Sequence, residues 1–176
     1  MRIPRTPTSH LYPILIGAIA VSTTFACGAA PSGGAPSATA PASTSSRESA
    51  AERCLAIAGA KRERKASEPS RITAKHVLVR YAGAKRAPAT VTRTREQACL
   101  RAEEALAKLK EGMSFAEVVS IYSEEAGAAA REGTIGTVER TDVAATFGDA
   151  AFELKAGEVS EVVETNFGFH VILRVE

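Results

Sequence analysis

The 176-residue sequence has no tryptophan, only three tyrosines and six phenylalanines, and three residues each of histidine and cysteine. So few aromatics leave a core to be built from Leu, Ile, Val and Ala with a handful of Phe. Three histidines, one of them His10 near the amino terminus, offer no three-ligand set, so neither a metal nor another cofactor is expected. There is no Cys-x-x-Cys spacing and hence no support for dithiol chemistry. Gly133-Thr134-Ile135-Gly136 is too short and wrongly placed for a nucleotide loop. The apolar stretch Leu11 to Phe25 falls short of the roughly 18 residues that mark a comfortable membrane span.

Charge is sorted by position. Arg2 and Arg5 account for the formal excess of +2. Beyond them, residues 47–101 carry 14 basic and 5 acidic side chains, and residues 102–176 carry 6 basic and 15 acidic. Halves of opposite sign can fold against each other. Because they balance, the chain lacks the net basic domain of a nucleic-acid binder, and no nucleic-acid partner is expected.

Residues 1–27 read as an export signal: a short positive start, an apolar segment, then Ala26-Cys27. A small residue followed by Cys at that point resembles a bacterial lipobox, which predicts lipidation of Cys27 and attachment to a membrane. Thr24 and bulky Phe25 depart from that pattern, and ordinary cleavage near Ala26 or Ala30 is the competing reading. Gly28 in place of Asp is compatible, by resemblance, with delivery to the periplasmic side of an outer membrane. The expected location is therefore the cell envelope. Residues 28–46 hold no charge and no large apolar side chain, so they predict a disordered tether.

Residues 47–70 predict a charged N-terminal helix, Arg47 to Lys65, broken at Glu68-Pro69-Ser70. Either it packs on the C-terminal domain or it extends from it. Cys54 lies in this helix and Cys99 in the next helical stretch. Export permits a bond between them, but two separate thiols are the default expectation. Residues 71–176 predict one α+β domain. Ile72 to Tyr81 alternates as a strand, with Ile72, Ala74, His76, Leu78 and Arg80 on one face. A loop over 82–92 leads to a helix capped by Thr92 or Thr94 and ended by Gly112. Ser114 caps a helix over Phe115 to Tyr122. A polar loop reaches Glu132, and Gly133 and Gly136 bracket a tight passage. Asp142 to Phe152 reads as a third helix, and Val159 to Val163 and Phe169 to Val175 as a terminal hairpin turning at Asn166 and Gly168.

Three segments in order, ITAKHVLVRY, FAEVVSIYSEEAGAAAREGTIG and FGDAAFELKAGEVSEVVETNFGFHVILRVE, resemble the parvulin family of peptidyl-prolyl cis/trans isomerases. The resemblance spans about 105 residues and implies a parvulin-like fold, with a small antiparallel or mixed sheet surrounded by three to four helices. It implies isomerase activity on proline-containing unfolded or exported polypeptides, by a monomer. Residue by residue, it puts the family's histidine pair on His76 and His170, its acidic or thiol position on Glu125 and its hydroxyl on Thr165. The proline pocket falls on Ile135, Val143 and Phe147. Arg80, Lys85 and Arg86 match the basic set that meets an anion in phosphorylation-specific members. Glu125 is one methylene longer than the family's Asp, and Val143 stands where Met or Leu is common.

Rotation about a prolyl bond is opposed by a barrier of roughly 20 kcal/mol set by amide resonance. A catalyst needs a grip on the ring and a field that disfavours resonance, not a covalent intermediate. The bland readings are a polar core network for the two imidazoles and Thr165, a solvated loop carboxylate for Glu125, a core aromatic for Phe147 and a solvated rim for the three cations. Two alternatives for the whole domain are a peptide-binding chaperone module without catalysis and a structural spacer on a lipid anchor.

Overall fold

The computed structural model describes residues 49–176. Cys27 and the tether 28–46 lie outside the described residues.

The first helix, α1, covers Ala50–Ala58 and opens with a reciprocal cap. The Glu52 N–H donates to Ser49 Oγ, and the Ser49 N–H to the Glu52 carboxylate. It does not run to Lys65, as the sequence reading expected. Gly59 closes it by donating its N–H to the Leu55 carbonyl at 2.9 Å, and extending the helix would stack Lys61 over Lys65 at a repulsive i,i+4 spacing. Nor does α1 project outward. Cys54 and Ala58 are buried against the helix α2, Arg95–Lys110. A disulfide joins Cys54 to Cys99, whose Cα atoms are 6.0 Å apart. The default of two separate thiols is thus corrected: helix packing brings these cysteines within bridging distance.

The strand β1, Arg71–Val79, is the centre of the domain. Beyond the loop after β1, Thr94 caps α2 and Ser114 caps α3, Phe115–Tyr122, each through a further reciprocal box. The sheet has four antiparallel strands in the order β2, β1, β4, β3, where β2 is Thr134–Glu139, β3 is Val163–Thr165 and β4 is Gly168–Arg174. The α+β class, with a small antiparallel sheet and four α-helices, therefore stands as expected. The edge strand β2 is where the sequence suggested only a tight passage between glycines. The hairpin's first arm is split: Val159 makes an isolated bridge to Leu173, and regular pairing resumes only at Val163. Ser160 lies between, its hydroxyl accepting the Ile172 N–H at 3.0 Å.

Strand parity sorts the side chains into two cores. Val77, Val79, Phe169 and Val171 face α1, α2 and α3. Ile72, Ala74 and Ile172 face the helix α4, Ala145–Glu153, with Phe147, Ala150, Ala151 and Phe152. α4 begins three residues later than Asp142, because Arg140–Asp142 form a separate 3₁₀ turn and Val143 is extended. His76, Leu78 and His170 continue the second face toward solvent.

Two glycines fix backbone contacts around this face. A Cβ on Gly133 would lie 2.5 Å from the His76 carbonyl oxygen, and its φ is +74°. Its own carbonyl accepts the His76 N–H at 2.9 Å. A Cβ on Gly168 would meet the Val79 carbonyl oxygen at 2.4 Å. Both positions require close backbone approach that only glycine permits.

Candidate functional site

β1 and β4 set His76 and His170 side by side. The register places Leu78 opposite His170 and His76 opposite Ile172, so the two imidazoles are diagonal neighbours on one face. Their planes are 13° apart and their Nδ1 atoms 3.1 Å apart. Both residues are buried, at 6% and 4% exposure. His170 Nε2 meets Thr165 Oγ1 at 2.8 Å, and His76 Nε2 meets the Glu125 carboxylate at 2.8 Å. The result is one line of polar atoms: Thr165, His170, His76, Glu125. Phe147 sets its ring edge-on to both imidazoles, with centroids 5.7 Å from His76 and 5.3 Å from His170.

Local bonds deliver Glu125 to the end of that line. Ser123 Oγ accepts the Leu78 N–H at 3.2 Å, and the Glu124 N–H donates to the Leu78 carbonyl at 2.8 Å. Segment 123–125 is thereby pinned along β1. The Glu124 carboxylate accepts the Arg80 N–H at 2.7 Å and pairs with Arg93.

The chemistry of the line is constrained. An ionised carboxylate only accepts, so His76 Nε2 donates to Glu125. The hydrogen bond from His76, the charge of that ring and the Arg131 guanidinium bring the Glu125 carboxyl down to about 2, against the opposing effect of burial. At 3.1 Å the two facing Nδ1 atoms hold one proton between them. Burial, and then the charge on His76 and on Arg80, push His170 well below the ordinary imidazole range, with Glu125 opposing. With both rings neutral, His170 Nδ1–H donates to His76 and its Nε2 accepts from the Thr165 hydroxyl. Protonating His76 reverses both bonds.

The line forms the floor of an open cleft of about 230 Å³. Ile135, Val143, Ala144 and Phe147 make an apolar cup on one side. Arg80, Arg86 and Phe167 line another part of the cleft. The residues singled out in the sequence thus converge, except that Lys85 stands off the lining. Arg80 is nine-tenths buried and donates to the Lys85 and Arg86 carbonyls, the latter at 2.7 Å, so it shapes the loop as well as facing the cleft. Among the described residues its Nε has no hydrogen-bond partner. Lys85 and Arg86 stand over the Phe167 ring, 5.1 and 5.9 Å from its centroid.

Two participants were missed in the sequence. Arg131 pairs with Glu125 and bonds the carbonyls of Thr134 and Ala126. The available signal was that it is the only cation between Ser123 and Gly133. Phe167 gave a signal only as an aromatic in a hairpin turn. Among the described residues no group of three His, Cys, Asp or Glu is placed to hold a metal, and no helix is long and apolar enough to cross a membrane.

The family model described as PPIC-type PPIASE domain matches residues 59–176. This chain belongs to that family, the parvulins. The parvulin named peptidyl-prolyl cis-trans isomerase pin1, of Schizosaccharomyces pombe, is 36% identical over 113 residues, covering 62% of this chain and 65% of that protein. The foldase protein PrsA of Halalkalibacterium halodurans is 43% identical over 72 residues, 41% of this chain and 22% of its own length. The chain thus spans less than two thirds of these curated parvulins. Among solved structures, the PPIase domain of TBPAR42 is similar with 37% identity and a TM-score of 0.54, covering 60% of this chain and 99% of that domain.

Proposed function

We propose that this chain is a peptidyl-prolyl cis/trans isomerase (EC 5.2.1.8) that acts as a folding factor on exported, proline-containing polypeptides. The observation that carries this reading is an ionised carboxylate, Glu125, fixed at the end of a buried polar line beside an apolar cup. The proline ring enters the cup of Ile135, Val143 and Phe147. Glu125 faces the preceding carbonyl. Amide resonance puts negative charge on that oxygen, so a nearby carboxylate raises the energy of the planar amide relative to the twisted one. His76, His170 and Thr165 hold the carboxylate and the floor in place, and no proton transfer to substrate is required. Lys85 and Arg86, with Arg80 behind them, favour an acidic or phosphorylated residue before the proline.

The test is acceleration of prolyl isomerisation in a short Ala-Pro peptide. Glu125→Gln should lower kcat/KM about 100-fold, the lower end for removal of one preorganised electrostatic group. A folded Glu125→Gln protein with unchanged kcat/KM would remove the carboxylate from the mechanism.

A second reading, a peptide-binding chaperone module without catalysis, is favoured by one observation: Arg131 sits on Glu125 and offsets part of its charge. An aggregation-suppression assay beside the peptide assay separates the two, since only an isomerase accelerates the peptide. On either reading, residues 1–27 direct export, Cys27 carries the lipid, and the monomer stands off the periplasmic face of an outer membrane on the tether 28–46. Intact mass of the mature protein should show a diacylglycerol adduct on Cys27.

A further inference from the structure

We infer that the cleft is charge-selective at a second point and that Asp142 favours a basic residue following the proline. This rests on the reading of the cup as the proline site. Asp142 lines the same cleft as Arg86, on the segment that continues directly into Val143 and Ala144 of the cup. Its carboxylate is exposed and positioned by the Glu139 N–H at 2.8 Å. Among the described residues no ion pair engages it, whereas neighbouring acids are matched: Glu125 by Arg131, Glu124 by Arg93, Glu164 by Arg95 and Glu139 by Arg71. Arg140, two residues earlier, is taken up by Glu68 and Asp149. Arg86 likewise has no acidic partner among the described residues and rests on Phe167.

The two free charges hang from different ends of the fold. Arg86 belongs to the loop after β1, which is tied to the β3–β4 turn by the Lys85 N–H donating to the Asn166 carbonyl at 2.7 Å. Asp142 follows β2, whose last residue, Glu139, pairs with Arg71 at the beginning of β1. An extended peptide advances about 3.3–3.6 Å per residue, so residues on either side of a seated proline can meet different charges. With the acidic residue toward Arg86, the residue after the proline runs toward Asp142. The preferred substrate is therefore a proline flanked by an acid before it and a base after it. Reversed order puts like charges together at both points.

The experiment measures kcat/KM, and Kd by fluorescence anisotropy, on peptides with Ala before the proline and Lys, Ala or Glu after it, and on the reversed pair Glu-Pro-Lys and Lys-Pro-Glu, at low and moderate salt. The wild-type protein should favour Lys over Glu about two- to fivefold, the range of an exposed ion pair, and less at higher salt. Asp142→Asn should level the series and Asp142→Lys should invert it. Each ratio is internal to one variant, so partial loss of folding does not imitate the effect. Equal values for Lys and Glu in the wild type, or a preference that survives Asp142→Asn, would overturn the inference. So would a better fit for peptides with Lys before the proline and Glu after it. Charge-dependent Kd without turnover would sink the isomerase reading and leave the selection standing. Turnover without charge dependence would do the reverse.

Discussion

Glu68 and Arg140, 72 positions apart, form an ion pair that ties the chain preceding β1 to the turn leading into the cup. The Glu68 side chain is only 5% exposed. Arg140 also holds Asp149 of α4 and lies 5.2 Å from the centroid of Phe152. Lys65 and Arg62 reach Glu153 at the other end of α4, each at 3.6 Å. The segment 60–70 is therefore a strap across the helix that carries Phe147.

Glu68→Gln should destabilise the protein by about 2 kcal/mol, because it leaves a mostly covered guanidinium, 19% exposed, with one acidic partner instead of two. Since Arg140 precedes Val143 in the cup wall, KM should rise more than kcat falls. Urea unfolding and Michaelis parameters check both effects. A variant with unaltered KM would confine the strap to stability.

Phe147→Ala removes a buried ring that belongs to the α4 core and touches both imidazoles. Stability should fall by about 3–5 kcal/mol, and kcat/KM should fall as well. Phe147→Leu, which keeps most of the volume, should recover more stability than activity. Equal recovery of both would make the ring a packing element only.

His170 supplies a pH dependence with a definite sign. Its folded-state pKa is depressed, by burial first. As pH falls through the ordinary imidazole value near 6.5, the unfolded chain takes up a proton that the folded chain refuses, and stability declines. The urea midpoint should be flat above pH 7.5 and drop between pH 7 and 5. His170→Gln should flatten that slope. Glu125 adds a separate loss at lower pH, between the ordinary carboxylate range and its folded value of about 2.

Cutting the Cys54–Cys99 bond opens a link of sequence separation 45. The loss should be about 2–4 kcal/mol on the chain-entropy argument. Dithiothreitol should lower the Tm of the wild type and leave Cys54→Ser/Cys99→Ser unmoved. A fragment starting at Arg71 lacks Cys54, Ala58 and Glu68, so it should unfold at lower urea than a chain starting at Ser49. Equal midpoints would show that α1 and the strap add nothing to the core.

The residues that line the cleft were legible through motifs that resemble the parvulin family, while strand parity only permitted the two histidines to meet. His76 and His170 alternate with apolar residues on two strands, and Phe147 falls at helical spacing from Ala150 and Ala151. What stayed hidden depends on contacts between distant segments. β2 is short and glycine-bearing, and its strand character comes from pairing with β1. Arg131 reads as one more surface cation until the loop folds it onto Glu125. Helix propensity carried the reading of α1 past Gly59, where a capping bond ends it. The partnership of Cys54 with Cys99 could be settled only by the packing of α1 on α2.

That disulfide also bears on which contacts can open. A chain whose cysteines are still thiols holds α1 by Ala58, its partly buried neighbours and the strap alone. Closure requires an oxidant, and the packing of α1 on α2 favours this pairing by holding the two sulfurs together. Once closed, the bond keeps α1 on α2 through any local opening of the other contacts. Where the bond is closed, Cys54 and Cys99 should both resist alkylation until a reductant opens it.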